Sequence, residues 1–195
     1  MKVETTQSPA EDLNDPSSAV WRDLTSETVA LSPVPLEAQP NEYIRISRAD
    51  KPYGATAEAK ASALNNGEQL FVRLEWQDDD SPNAEFADAA AILTGRGDEI
   101  QSLGNEDTPV GMWYWASDRE QSLSLVSSGP GVVRSNADVV TGASANLDGG
   151  RWAVVLSGPS SEVTDNQIGV AIWNGSNDER AGLAAISGWL SLDTE

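Results

Sequence analysis

The sequence predicts a mainly β protein, an antiparallel β-sandwich with short helical segments and long loops. Three observations carry that expectation. Apolar, aromatic-rich runs recur with turn residues beside them: Leu70 to Trp76, Pro109 to Trp115, Gly149 to Leu156 and Val170 to Ser176. Seven of the twelve aromatic residues are Trp, and they fall in or beside such runs, so the core is specified around indoles. The runs are separated by turn chemistry at spacings of about 10–20 residues, the rhythm of a sandwich.

Residues 1–19 are polar and acidic with almost no apolar side chains, which predicts a flexible or partner-bound arm. Residues 20–195 then form a single β-sandwich domain without an internal repeat. Thr28 to Leu31 reads as a first strand, closed by Pro33 and Pro35. Tyr43 to Ala49 alternates apolar and polar residues, the period of a half-buried strand. Ala55 to Leu64 fits either a helical turn or a strand with Ala57, Ala59 and Ala61 on one face. Asn66-Gly67 signals a hairpin before the strand Gln69 to Trp76. A polar loop follows at Asp78 to Asn83, then a strand within Glu85 to Leu93. Val110 to Trp115 is the clearest strand of the chain. Ser122 to Asn146 carries a Gly129-Pro130-Gly131 turn between short apolar pairs, without a decided structure. Asp148-Gly149-Gly150 opens a hairpin into the strand Arg151 to Ser157. Gln167 to Trp173 and Trp189 to Leu192 complete the set.

The composition restricts function. With 31 acidic and 12 basic residues in 195, the net charge of −19 argues against nucleic acid and against an anionic membrane surface. The acids are scattered through loops, and only three lysines stand beside nine arginines. Such a surface suits concentrated salt, where the Debye length falls to about 3 Å and self-repulsion is screened; attraction of a basic partner is the other reading. No Cys and no His are present. Disulfides, thiolate nucleophiles, Fe–S clusters, His-based triads and nearly all transition-metal sites are thereby excluded. No apolar run approaches the length of a membrane span, and Met1 to Asp15 has no signal-like apolar core.

Three side-chain groups are candidates for chemistry. Asp78, Asp88 and Asp118 lie at strand ends, where a carboxylate pair beside aromatics would suit glycoside hydrolysis, but no spacing selects a pair over solvated loop acids. Asp78-Asp79-Asp80 does not follow a calcium-loop spacing. Trp113 and Trp115 share one strand face, with Tyr114 on the other. They suit either a stacking platform for a sugar or cofactor, or a sandwich core.

The order of several short blocks resembles one family. The blocks are Asp15-Pro16 with Trp21, Leu74-Glu75-Trp76 with Asp78, Phe86 to Ala91, Leu103-Gly104, and Pro109-Val110 with Trp113 and Trp115. They continue with Gly150, Trp152 and Val154-Val155; Ala171, Trp173 and Gly175-Ser176; Glu179-Arg180; and Ser187 with Trp189. Across residues 15–192 the chain resembles the haem-binding gamma subunits of ethylbenzene dehydrogenase, dimethyl sulfide dehydrogenase, and selenate and chlorate reductases. The resemblance implies a non-catalytic β-sandwich subunit beside a molybdenum-containing catalytic subunit and an iron–sulfur subunit. It implies a b-type haem held by a Met and a Lys, with a membrane cytochrome or a Rieske-type protein as candidate donor. It also implies the extracytoplasmic face of the membrane, reached with a signal-bearing partner; without such a partner the chain stays cytoplasmic.

The departures from that pattern are specific. The family's Met falls at Leu103 and its Lys at Ala184. Neither side chain has a lone pair for iron, so no cofactor is expected. Met112, Trp113 and Trp115 are the candidate lining of the former haem pocket. The expected role is therefore an accessory subunit of a haloarchaeal respiratory molybdoenzyme, most plausibly of nitrate reductase type. The alternatives are a b-type haem carrier with replacement ligands and a secreted carbohydrate-binding sandwich.

Overall fold

Two sheets face each other in the computed structural model, which describes residues 1–79, 85–97 and 99–194. Its strands are β1 (Lys2–Thr5), β2 (Glu27–Ala30), β3 (Ser32–Pro33), β4 (Glu58–Asn65), β5 (Gln69–Gln77), β6 (Ala89–Thr94), β7 (Val110–Ala116) and β8 (Leu123–Ser127). They continue as β9 (Val133–Ser135), β10 (Gly142–Asp148), β11 (Arg151–Pro159), β12 (Gln167–Trp173), β13 (Ala185–Ile186), β14 (Leu190–Ser191) and β15 (Asp193–Thr194). Two short helices, α1 (Ala10–Asn14) and α2 (Glu42–Arg48), lie outside the sheets. The first sheet runs β10-β11-β5-β4-β1-β15, with β2 also on β4. The second runs β3-β13-β12-β6-β7-β8-β9, with β14 also on β12. The described pairings are antiparallel except those of β1, which is parallel to both β4 and β15.

Strand alternation sorts the apolar residues into three clusters. Leu70, Val72, Leu74 and Trp76 of β5 meet Ile92, Trp113, Trp115, Val170 and Ile172 of the other sheet in the central core. The opposite face of β5 gives Phe71 to an outer cluster with Leu13, Trp21, Leu64 and Val155. The outer face of the second sheet gives Ala91, Leu93, Met112, Ala171 and Trp173 to a third cluster, covered by Val34, Ile100, Leu103 and Ala184. The middle strands are thus apolar on both faces, which explains why Ala89 to Leu93 reads as a continuous apolar run.

Two expectations are corrected. The segment 1–19 is built into the domain: β1 is hydrogen-bonded between β4 and β15, and Leu13 is fully buried. Met1, Val3 and Leu13 are enough to anchor it because each lands in a core cluster. Tyr43 to Ala49, expected as a strand, lies mostly within α2. The Asn41 side chain caps that helix, accepting from Tyr43 N at 2.8 Å, and Arg45 and Arg48 suit its last turn. Ala55 to Leu64 resolves as a strand, β4, whose small residues let the core indoles approach. Part of the polar loop expected at Asp78 to Asn83 lies outside the described residues.

Trp113 is 1% exposed and sits against the glycine of β11. A Cβ added at Gly158 would lie 2.6 Å from the ring's Cζ2. Gly158→Ala therefore forces the central indole to shift, and overpacking of this kind costs about 1–3 kcal/mol. Thermal unfolding in high salt should show the lower midpoint; an unchanged midpoint would mean that the indole has room to move.

Candidate functional site

Leu103 and Ala184, the positions where the resemblance puts the family's ligands, are far apart in sequence and share one buried cluster. Leu103 follows a short 3-10 turn (Glu99–Ser102) and takes a left-handed backbone (φ 57°) before Gly104. Ala184 directly precedes β13. Both are buried, and both belong with Met112 to the cluster on the outer face of the second sheet. Each backbone is tied down: Ser127 Oγ donates to Leu103 O (2.7 Å), and Val34 N donates to Ala184 O (2.9 Å).

The turn after β8 packs between these two loops. A Cβ at Gly104 would lie 3.0 Å from Ser127 O, and one at Gly131 would lie 3.6 Å from Ala181 Cβ. At Gly182 a Cβ would be 2.6 Å from Gln39 Oε1 and closer still to Pro130 Cβ. Gln39 Nε2 also donates to Gly182 O (2.7 Å) and Gln101 Nε2 to Ser187 O (3.1 Å). These residues do not fit a haem gripped by Met and Lys. The side chains at 103 and 184 offer no electron pair, and the loops close on one another. Of the lysines, Lys51 is ion-paired with Asp178 and Lys60 stands on β4 of the other sheet. Met112 Sδ is the one sulfur among the residues of this cluster.

Trp113 and Trp115 are not part of that layer. They leave β7 on the opposite face from Met112 and fill the space between the sheets, 1% and 6% exposed. Trp115 meets Trp152 edge-on with centroids 5.0 Å apart, and Trp76 stacks near Trp152 at 6.3 Å. Of the two readings of Trp113 and Trp115, the sandwich core holds over the sugar platform, because both side chains are buried between the sheets. The expected pocket lining divides in the same way: Leu103, Met112 and Ala184 are together, and the two indoles are apart from them.

Sequence reading missed what Asp88 and Glu179 do. Asp88 Oδ1 accepts from Gly175 N (2.9 Å) and Oδ2 from Trp152 Nε1 (3.2 Å). Glu179, 1% exposed, accepts from Ala55 N (2.8 Å), Asn177 Nδ2 (2.9 Å) and Asn174 N (2.9 Å). Arg180 lies over the Phe86 ring, 3.9 Å from its centroid. Blocks of the family pattern from 86 to 180 are thus clipped together at one end of the sandwich. The Gly175-Ser176-Asn177 turn followed by Asp178-Glu179 was the available signal. Asp88 accepts these bonds, Asp78 is buried, and Asp118 is exposed. Among the described residues no group of three or more His, Cys, Asp or Glu could hold a metal ion.

Asp88→Ala strips the acceptor from a backbone N–H and an indole N–H, so stability should fall by about 2 kcal/mol. A lower denaturant midpoint at unchanged slope would record it. Tyr53 generates a second expectation. Its hydroxyl donates to Val34 O, bracing the covering loop. Burial first, and then the charge of Glu37, hold its phenol above the ordinary 10.0. A raised pKa favours the protonated form in the fold, so this contribution is complete below about pH 10 and is lost as pH rises through the folded value. Tyr53→Phe should flatten the alkaline limb of a stability–pH curve; an unaltered limb would remove Tyr53 as its cause.

No protein-family model matches the chain. A protein of Haloferax mediterranei, provisionally named a respiratory nitrate reductase heme subunit, is 28% identical over 148 residues, or 67% of this chain. The chain matches 53%, about half, of that relative's length. The dimethylsulfide dehydrogenase subunit gamma of Rhodovulum sulfidophilum is 28% identical over 196 residues, 89% of this chain and 72% of the relative. The chlorate reductase subunit gamma of Ideonella dechloratans is 29% identical, over 90% of this chain and 77% of the relative. Among solved structures, a family 9 carbohydrate-binding module from Caldicellulosiruptor kristjanssonii, in complex with glucose, superimposes with a TM-score of 0.52. It covers all of this chain at 11% identity, a likeness of fold alone. By sequence, the chain is similar to gamma and haem subunits of the kind that its ordered motifs resemble.

Proposed function

We propose that this chain is a non-catalytic accessory subunit of a respiratory molybdoenzyme complex of nitrate reductase type, kept for assembly and without haem. The observation that supports the reading is a dry apolar layer at Leu103 and Ala184, the positions where the resemblance puts the family's ligands. Leu103 and Ala184 stand at those positions, and the Ser127 to Gly131 turn packs between their loops. A molybdenum-containing catalytic subunit and an iron–sulfur subunit are the implied partners. The name of the Haloferax relative supports nitrate over the other oxyanions. Work at the extracytoplasmic face, reached with a signal-bearing partner, belongs to the same proposal.

One observation supports a second reading, in which a haem is held by replacement ligands. Met112 shares the cluster with both ligand positions and could supply a thioether. An absorption spectrum of natively purified protein in high salt, oxidised and then dithionite-reduced, separates the two. The accessory reading expects no Soret band beyond that of its partners, from a chain still bound to a molybdenum protein. A Soret band at one haem per chain, lost in Met112→Leu, would overturn it.

The charge of −19 supports a salt-adapted host. Lowering salt from about 1 M to about 0.1 M lengthens the Debye length from about 3 to about 10 Å and restores repulsion among the acids. The melting temperature should fall continuously over that range. A flat profile would count against salt adaptation.

A further inference from the structure

Among the described residues, two of the most exposed large apolar side chains lie on a helix that the family motifs leave out. Tyr43 is 76% and Ile46 70% exposed, and their spacing on α2 puts them on one face. Beside them is a cleft of about 330 Å³ lined by Gln39, Ser47, Arg48, Lys51, Arg180 and Gly182, among others. Three of its wall residues are cations, and none is a carboxylate. All three meet Asp178 at the rim: Lys51 pairs with its carboxylate, while Arg48 Nη2 (3.1 Å) and Arg180 Nη1 (3.4 Å) donate to its carbonyl. The Lys51 hydrogen bond and charge hold the Asp178 carboxyl below its ordinary value, so that carboxylate stays ionised at neutral pH. At this cleft one carboxylate stands against three cations, on a chain of net charge −19. Arg48 Nη1 is buried and has no acceptor. A buried guanidinium N–H without a partner is costly, and its best complement is a carboxylate.

We propose that the α2 face is a docking surface for a partner subunit. The segment it takes would present a carboxylate to Arg48 with apolar side chains laid on Tyr43 and Ile46. This rests on the accessory-subunit reading above. A free oxyanion would use the cations and leave the two exposed side chains idle. A protein segment uses both, and aromatic residues and Arg are the residue types enriched at interfaces. Concentrated salt strengthens the argument. It screens exposed charge pairs, so recognition there needs apolar contact and a desolvated ion pair.

The test is recovery of molybdenum with the tagged full chain, produced in a host that makes the whole complex and purified in high salt. The double variant Tyr43→Asp/Ile46→Asp should lose at least tenfold of the molybdenum recovered per chain, and Arg48→Ala should lose a comparable amount. Val140→Asp changes a residue that is 75% exposed elsewhere and should lose none. Circular dichroism and melting confirm that each variant is folded. If Arg48→Ala fails to fold, the double variant at two exposed positions still decides. Full recovery with the double variant overturns the docking surface. Loss confined to Arg48→Ala and mimicked by added sulfate would replace it with a small-oxyanion site. If the unaltered chain recovers no molybdenum, the accessory-subunit reading falls, and the docking surface falls with it.

Discussion

Both sheets carry apolar side chains on both faces, and the outer faces must be covered by something other than a second sheet. On β5, Leu70, Val72, Leu74 and Trp76 point inward while Phe71 points out; on β7, Trp113 and Trp115 point inward while Met112 points out. The first sheet is covered by Leu13 and Trp21 from the N-terminal segment. The second is covered by loops carrying Val34, Ile100, Leu103 and Ala184. Loop backbone buried in this way needs partners for its carbonyls. Ser127, Gln39, Gln101 and Tyr53 supply them, each reaching a carbonyl of the covering layer. The site of interest is this cover. Its chemistry cannot be separated from the need to keep water off the sheet.

The motifs that relate the chain to its relatives do two different jobs. Asp88, Trp152, Gly175, Glu179 and Arg180 lock one end of the sandwich by hydrogen bonds and a cation–π contact. Their geometry requires no cofactor. Leu103-Gly104 and Ala184 belong instead to the cover, where an aliphatic side chain is the natural filler of a dry layer. A chain can keep the first group and change the second without losing its fold.

Much of the sandwich was legible because its long strands combine β-branched or aromatic residues with adjacent turn signals, as at Val110 to Ala116 and Arg151 to Pro159. The edges were not. β1 has four residues and a single buried one, too little periodicity to separate it from a polar arm. α2 shows Ile44 and Ile46 two apart, which imitates a strand; the Asn41 cap was the local signal that outweighed it. For the site, the resemblance named positions 103 and 184, and both lie in one buried cluster. Sequence could not assign Met112 to their side of β7 and the two indoles to the other, because alternation gives opposite faces without saying which faces the partner sheet.

The parallel placement of β1 has a consequence for how the chain reaches its fold. Lys2 and Val3 pair with Asp193 and Thr194, while Val3 to Thr5 pair with Ala63 to Asn65. β1 therefore finds its outer neighbour, β15, far along the chain. Contacts of such sequence separation close slowly, since the loop entropy is lost before the pairing rewards it. Until then the free edge of β4 beyond Ala61 is open to other strands. Without β15 that flank stays poorly protected, so its pairing with β1 acts as a checkpoint on the sheet as a whole.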